Sequence, residues 1–434
     1  MSASPHNAMR NEPASEIASN LSRFLKALGP GLITGAADDD PSGISTYSIA
    51  GAAYGLTTLW TALLSFPLMV AVQLMCARLG LVTGRGLGSV IRTRYAPWIS
   101  WTTCFLVIAA NVFNIGADLA GMAESTQMIA GGAVTFWTSM FAIIIVVLLL
   151  WTSYRAMVKV FKWLTLALFA YFITAFLAHP DWMAVLRSTF VPQIEWSRHF
   201  LAVLVGILGT TISPYLFIWQ AAQEVEEDRD HGKQTVAQRR GATGLELRTV
   251  RTDVVTGMFL SNLVMFFLIL TTAATLNKHG VTHIETARQA AEALRPFAGN
   301  SAYLLYAFGL VGTGMLAIPV LAGSCAYAIA DARKWRSASL NATPGAAPRF
   351  YAVIALCILI GVCFNFFGLN AVKMLFWSAI LNGLLAPPLV VMVVLLTSDR
   401  KIMGNKVDSI PLKVLGWACA LIMGAAATGL LLSF

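Results

Sequence analysis

The sequence predicts an all-α membrane protein of eleven spans, built as two five-helix halves of opposite orientation with one helix added. Composition is the first reason: 57% of the 434 residues are hydrophobic and only 12% are charged, against about 25% charged in an ordinary soluble domain. The second is that Lys and Arg gather in alternate connections, as they do where loops on one side stay in the cytoplasm. The third is a pair of proline-bearing interruptions at matching places in the two halves. Such a pair is the sequence sign of an inverted repeat with a site near the bilayer midplane.

Crossing the bilayer takes about 20 residues. The apolar stretches of this length lie at 24–54, 57–79, 99–122, 134–152, 158–178, 200–224, 252–276, 301–330, 350–367, 372–396 and 412–433. The first five (about 24–178) and the next five (about 200–396) make the two repeats, and the stretch 412–433 stands outside them. Residues 1–22 are polar and lack the apolar centre of a signal peptide. They are expected to form a flexible cytoplasmic tail, with 23–434 a single transmembrane domain that leaves no stretch for a soluble catalytic domain. A cytoplasmic N-terminus puts 24 of the 30 basic residues inside, leaving Arg187, Arg198, Lys278, Arg288, Arg295 and Lys373 outside. The net charge of +9 is therefore a matter of topology, with no nucleic-acid partner implied. The location expected is a plasma membrane of the bacterial inner-membrane type.

The first span contains Asp38-Asp39-Asp40 followed by Pro41-Ser42-Gly43. Each acid costs roughly 2.5–3.5 kcal/mol at the centre of a membrane helix on insertion scales, so three together demand an internal reason. Pro41 removes a backbone donor and turns Asp40 away from α geometry, while Gly43 permits an unwound backbone. This predicts a helix broken inside the bilayer, with carboxylates and freed carbonyls facing a buried polar site. The competing reading starts a membrane helix at Pro41, with Asp40 as its cap and the acids at the surface. The matching break in the sixth span, Gly206-Ile207-Leu208-Gly209-Thr210-Thr211-Ile212-Ser213-Pro214-Tyr215, favours the intramembrane reading. Pro41 and Pro214 are thus the candidate hinges.

Asn111, Asn114 and Asp118 in the third span are spaced three and four apart and share one helical face. The two asparagines fit interhelical hydrogen bonding as well as a polar path. Asp118 is a candidate for relaying protons or tuning charge. Thr210, Thr211, Ser213, Tyr215 and Gln220 follow from the sixth span, and Asn382-Gly383 precedes Pro387-Pro388 in the tenth. The acid-rich run from Glu224 to Asp230 reads as a solvated cytoplasmic loop without chemistry, and 279–299 as a short surface helix. All six histidines fall outside the spans, no HExxH or P-loop occurs, and the six cysteines read as small apolar residues. Protease and ATP-driven pump chemistry is thereby disfavoured, and no enzyme activity or cofactor is expected. Carboxylates, hydroxyls and carbonyls are hard donors suited to Mg²⁺, Mn²⁺ or Ca²⁺.

Several motifs together carry a resemblance. They are Gly29-Pro30-Gly31 leading to Asp40-Pro41, Ala50-Gly51-Ala52-Ala53-Tyr54-Gly55 with Leu59-Trp60, and Gln73-Leu74 with Ala77-Arg78-Leu79-Gly80-Leu81-Val82-Thr83-Gly84. Ala117-Asp118-Leu119-Ala120, Gly209 to Pro214, and Thr397-Ser398-Asp399-Arg400-Lys401-Ile402-Met403-Gly404 complete the set. Over most of its length the chain resembles the Nramp family of divalent-metal transporters, whose inverted-repeat fold is of the LeuT type. The departures fall at functional positions. The family's Asp-Pro-Gly-Asn reads Asp40-Pro41-Ser42-Gly43 here, and its Met-Pro-His reads Ser213-Pro214-Tyr215. Gln220 stands where a second histidine is usual, and Gly121 replaces an acid beside the helix 3 aspartate. The aspartate that binds metal is kept; the asparagine, thioether and histidine are lost. The chain is in this respect similar to the family's Mg²⁺-transporting relatives.

The resemblance implies alternating-access transport of a divalent cation of the Mg²⁺ or Mn²⁺ class, with proton coupling as an option, by a monomer or weak homo-oligomer. The expected ligands are Asp40, Asp39, Ser42, Gly43, Thr210, Ser213, Tyr215 and Asn382, with Asp118, Asn114 and Asp38 on a proton path or tuning charge. Two rivals stay open: the same fold carrying another small solute or ion, and a non-transporting receptor or sensor.

Overall fold

The computed structural model describes residues 29–152, 154–335 and 339–433. The tail expected at 1–22 lies outside the described residues. Among the described residues every regular element is helical. The principal helices are α1 (Pro30–Asp38), α2 (Pro41–Tyr54), α3 (Trp60–Thr83), α4 (Pro97–Ala130), α5 (Val134–Trp151), α6 (Tyr154–Thr165) and α7 (Phe169–Leu177). They continue with α8 (Arg198–Thr211), α9 (Pro214–Asp230), α10 (Gly244–Thr275), α11 (Ala302–Arg333), α12 (Pro348–Phe364), α13 (Ala371–Ser398) and α14 (Ile410–Leu432).

Nine described helical segments are long and apolar enough to cross a membrane, or ten if Leu166–Leu177 and Trp182–Phe190, bent by 119°, make one span. Two of the eleven expected spans fall short by this measure for a local reason. The first is divided into α1 and α2, of 9 and 14 residues. The fifth is divided into α6 and α7 by the 3-10 turn Leu166–Leu168.

Both interruptions lie where the prolines place them. Asp39 (φ −82°, ψ 50°) and the extended Asp40 (φ −69°, ψ 167°) separate α1 from α2, and Pro41 opens α2. Ile212 (φ −121°, ψ 63°) and the extended Ser213 separate α8 from α9, and Pro214 opens α9. Proline's fixed φ and missing donor suit a helix's first position better than its interior. Gly43, expected to be unwound, lies in the first turn of α2 because Asp40 caps that turn; the unwound residues are Asp39 and Asp40.

The packing that holds these half-helices rests on small residues. α10 packs along α1, α2 and α3, and α13 packs on α8. A Cβ on Gly35 of α1 would overlap the backbone of Gly257 of α10, and one on Gly257 would overlap Gly31. At the other break, a Cβ on Gly209 would overlap the backbone of Ala379 and Gly383 of α13. Backbone-to-backbone contact of this kind is how membrane helices gain dispersion energy without a hydrophobic drive between them.

The acid-rich run differs from its expected solvated state. α9 continues through it to Asp230, and Glu224, Glu226 and Asp228 are buried. Their partners explain this: Gln220 donates to Glu224, Arg229 and Ser339 to Glu226, and Lys233 to Asp228. The Asp228 hydrogen bond in turn raises the Lys233 ammonium above its usual range.

Candidate functional site

The first break collects three carboxylates in the protein interior, with Asp38, Asp39 and Asp40 at 0%, 7% and 1% exposure. This removes the reading that put them at the surface. Because they lie on a helix end, a turn and a helix cap in succession, they face two different environments.

Asp40 is the N-cap of α2. Its Oδ1 accepts from the Gly43 amide at 2.8 Å, the Ser42 hydroxyl at 2.7 Å and the Thr210 hydroxyl at 3.5 Å. Its Oδ2 accepts from Asn114 Nδ2 at 2.9 Å. One carboxylate thus joins the start of α2, the end of α8 and the middle of α4. Asp118, one turn beyond Asn114, is fully buried with neither oxygen hydrogen-bonded, although the Ser42 amide and the Asp40 carboxylate are its neighbours. The remaining oxygens of Asn114 and Asn111 are also free, while Asn111 donates to the Leu321 carbonyl at 3.3 Å. Free buried carboxylate and amide oxygens are costly unless something positive or protic meets them.

Asp38 and Asp39 turn instead toward α10. The Ser261 hydroxyl lies 2.6 Å from Asp38 Oδ2 and 3.1 Å from Asp39 Oδ1. A hydroxyl has one proton to give, so Ser261 serves two acceptors, and Asp38 Oδ1 has no partner. The triplet is therefore two half-sites. Among the described residues no group of three or more His, Cys, Asp or Glu side chains is placed to hold a metal ion together. Any cation here would take amide, hydroxyl, carbonyl or water oxygens in addition to carboxylate.

The other expected residues divide in the same way. Thr210 reaches Asp40, as above. Ser213 donates to the carbonyls of Gly209 at 2.9 Å and Thr210 at 2.7 Å, so its proton closes the end of α8, a common habit of membrane serines. Tyr215 donates to the Ala37 carbonyl at 3.0 Å, tying the start of α9 to the end of α1. Asn382 is buried in α13 with neither amide atom hydrogen-bonded. Thr34 donates to Gln220 at 2.6 Å and Gln220 to Glu224 at 2.8 Å, which makes a buried polar line along α1 and α9.

Three contributors escape the sequence reading. Ser261 is a lone serine in an apolar span. Tyr47 meets Thr211 at 3.0 Å and so links α2 to α8. Asp253 of α10 accepts from the amides of Gly29, Gly31 and Leu32 at 2.9, 2.6 and 3.2 Å. α1 has no side-chain cap of its own, and Asp253 satisfies the exposed donors of its first turn from another helix. Asp253 lies at the mouth of an apolar span, and the signal that could have found it is the Gly29-Pro30-Gly31 start lacking any Ser, Thr, Asp or Asn.

Comparison with known proteins bears on the family and the fold. The sequence model of the Nramp family, natural resistance-associated macrophage protein-like, matches residues 31–433. The chain is 27% identical over 414 residues to a Deinococcus radiodurans protein named divalent metal cation transporter MntH, covering 92% of this chain and 88% of that one. In three dimensions it is similar to the Eremococcus coleocola manganese transporter solved with an aromatic bis-isothiourea substituted compound. That likeness has a TM-score of 0.74 at 19% identity and covers 94% of this chain and 86% of the other. A weaker likeness, TM-score 0.51 at 14% identity over 93% and 90% of the two chains, is to inward-facing Mhp1. These structural likenesses concern the fold alone, which is of the LeuT type. With the family's sequence pattern matched from α1 to α14 and both interruptions in place, the chain belongs to the Nramp family.

Proposed function

We propose that this protein is a secondary transporter that carries a divalent metal cation across the membrane by alternating access, with Asp40 as the principal ligand. The reading rests on one observation above the rest. A buried carboxylate sits at the break of a membrane helix, bound from three helices by Asn114, Thr210, Ser42 and the Gly43 amide. The names of the relatives, a divalent metal cation transporter and a manganese transporter, support the cargo class.

Mg²⁺ is the favoured cargo. None of Asp40's partners carries sulfur or imidazole, and Ser213 and Tyr215 stand where the family has Met and His. The thioether of Met265 is hydrogen-bonded by Thr211 at 3.7 Å and Ser65 at 3.9 Å. Mg²⁺ takes one or two carboxylates and keeps several waters, which suits a site without three converging acids. Ser42, Thr210, Asn382 and the carbonyls near the two breaks complete the proposed lining. Tyr215, with Pro41 and Pro214, acts in the hinge, and Ser213 supplies a lone pair at most. Asp118, Asn114 and the Asp38–Ser261–Asp39 group balance charge or relay protons.

The full proposal includes eleven spans, the five-plus-five inverted repeat with α14 outside it, and a cytoplasmic N-terminus. It is supported by the two matching breaks and by the distribution of Lys and Arg. The test is uptake into proteoliposomes. The purified protein is expected to admit Mg²⁺ faster than protein-free vesicles and to prefer it over Mn²⁺. Uptake of neither ion would overturn the transport reading, and a strong Mn²⁺ preference would overturn the choice of cargo.

A further inference from the structure

A polar cavity lies away from the acidic site, where three connections meet at the end of α3. It has a volume of about 370 Å³ and is lined by Thr83, Arg85, Thr93, Arg240 and Lys401 among smaller apolar residues. We infer that this crevice binds a phosphate group, carried either by an anionic lipid or by a soluble phosphate.

The first argument is charge. The cations Arg78, Arg94, Arg229 and Lys233 each hold a carboxylate within 3.0 Å. Arg85, Arg240 and Lys401 have no such ion pair among the described residues and converge on one cavity. The acids closest to them are already engaged. Asp399 is held ionised, below its usual range, by the Lys401 amide and then by Arg94, which it binds at 2.9 Å. Asp331 lies against Gly86 and Gly88, takes a hydrogen bond from the Ser89 amide and is shared by Arg92, Arg229 and Arg85. Arg85 feels Asp331 and Lys401 feels Asp399 through space, but three cations share these two acids without a direct ion pair, and the excess positive charge attracts an anion from solution or from the membrane surface.

The second argument is that the backbone bearing each cation is fixed. Gly84 turns the chain with φ +63°, and the Arg85 amide then donates to Thr83 Oγ1 at 3.2 Å. The buried Arg239 donates to the carbonyls of Lys233 and Gln234 at 2.9 and 2.7 Å, and the Gly241 amide to Val82 at 2.9 Å. These bonds clamp the short helix Val236–Arg239 onto the end of α3 and set Arg240 beside Arg85. Lys401 is the second residue of a short helix, Arg400–Met403, and its amide donates to the capping Asp399. Arg78 fixes the loop that follows, through Asp408 at 2.8 Å and the Lys406 carbonyl at 2.9 Å. With the backbone fixed, two exposed guanidiniums and an ammonium start from one cavity rim and can meet the several oxygens of a phosphate, so binding has only their side chains to order.

Two arms separate the sources. Thermal stability of the purified protein is measured with phosphatidylglycerol against phosphatidylcholine in mixed micelles, and separately with millimolar inorganic phosphate against chloride at equal ionic strength. Stabilisation by phosphatidylglycerol alone assigns a lipid headgroup, and stabilisation by inorganic phosphate as well assigns a free phosphate site. In either case Arg85→Gln/Arg240→Gln/Lys401→Gln is expected to weaken the apparent affinity at least tenfold, and Arg240→Gln alone by a smaller factor. A control of equal charge loss away from the crevice, Lys278→Gln/Arg288→Gln/Arg295→Gln, is expected to keep the ligand-induced shift. No stabilisation in either arm, or an equal loss in the control, would overturn the inference. None of these readouts depends on transport.

Discussion

The two breaks share a backbone plan but differ in what fills them. At the first, the interrupted residues are themselves acids, and Asp40 doubles as a helix cap and the meeting point of α2, α4 and α8. At the second, the side chains serve the backbone: Ser213 closes α8, and Tyr215 holds the Ala37 carbonyl near the end of α1. Charge thus sits on one hinge and mechanical continuity on the other. A break supplies a site only when its orphaned groups are left open; where side chains close them, it supplies a joint.

The largest effect is expected from Asp40→Ala, which removes both the charge and the common acceptor. Transport into proteoliposomes should fall by at least about 100-fold, because a metal site loses more with a ligand than with an orienting residue. Asn114→Ala leaves the carboxylate but frees its Oδ2, and a loss of about 10- to 100-fold in apparent cation affinity is expected. Asp253→Asn tests how firmly α1 is held below the first break. It weakens three charge-assisted bonds to amides, and a drop in unfolding free energy of about 1–3 kcal/mol is expected in detergent. The smallest effect belongs to the second break: Ser213→Ala removes bonds to backbone carbonyls only, so transport should change by less than about threefold. A larger loss in Ser213→Ala than in Asn114→Ala would reverse the assignment of roles.

Much of this arrangement is legible in the sequence because its causes are local. Proline marks a break where the residue before it leaves α geometry, as at Pro41 and Pro214, whereas Pro67, Pro319, Pro387 and Pro388 stay inside helices. The shared face of Asn114 and Asp118 follows from helical spacing, and α4 does bring both close to Asp40. What the sequence withholds is direction across helices. Nothing in three consecutive aspartates tells that Asp40 turns toward α4 while Asp38 and Asp39 turn toward Ser261. The burial of Glu224, Glu226 and Asp228 was equally hidden, since their partners Gln220, Ser339 and Lys233 come from α9 and the segments beyond it. The contact of α1 with α10 left a fainter mark, the small residues Gly31, Gly35 and Gly257, whose meaning depends on knowing which helices touch.

Density from the protein soaked with Mn²⁺, contoured at the manganese anomalous signal, tests the division between the two half-sites most directly. A peak about 2.0–2.6 Å from an Asp40 carboxylate oxygen, with Thr210 or Asn114 within reach of its ligand sphere, is the predicted result. A peak bridging Asp38 and Asp39 at Ser261, with Asp40 uninvolved, would contradict it.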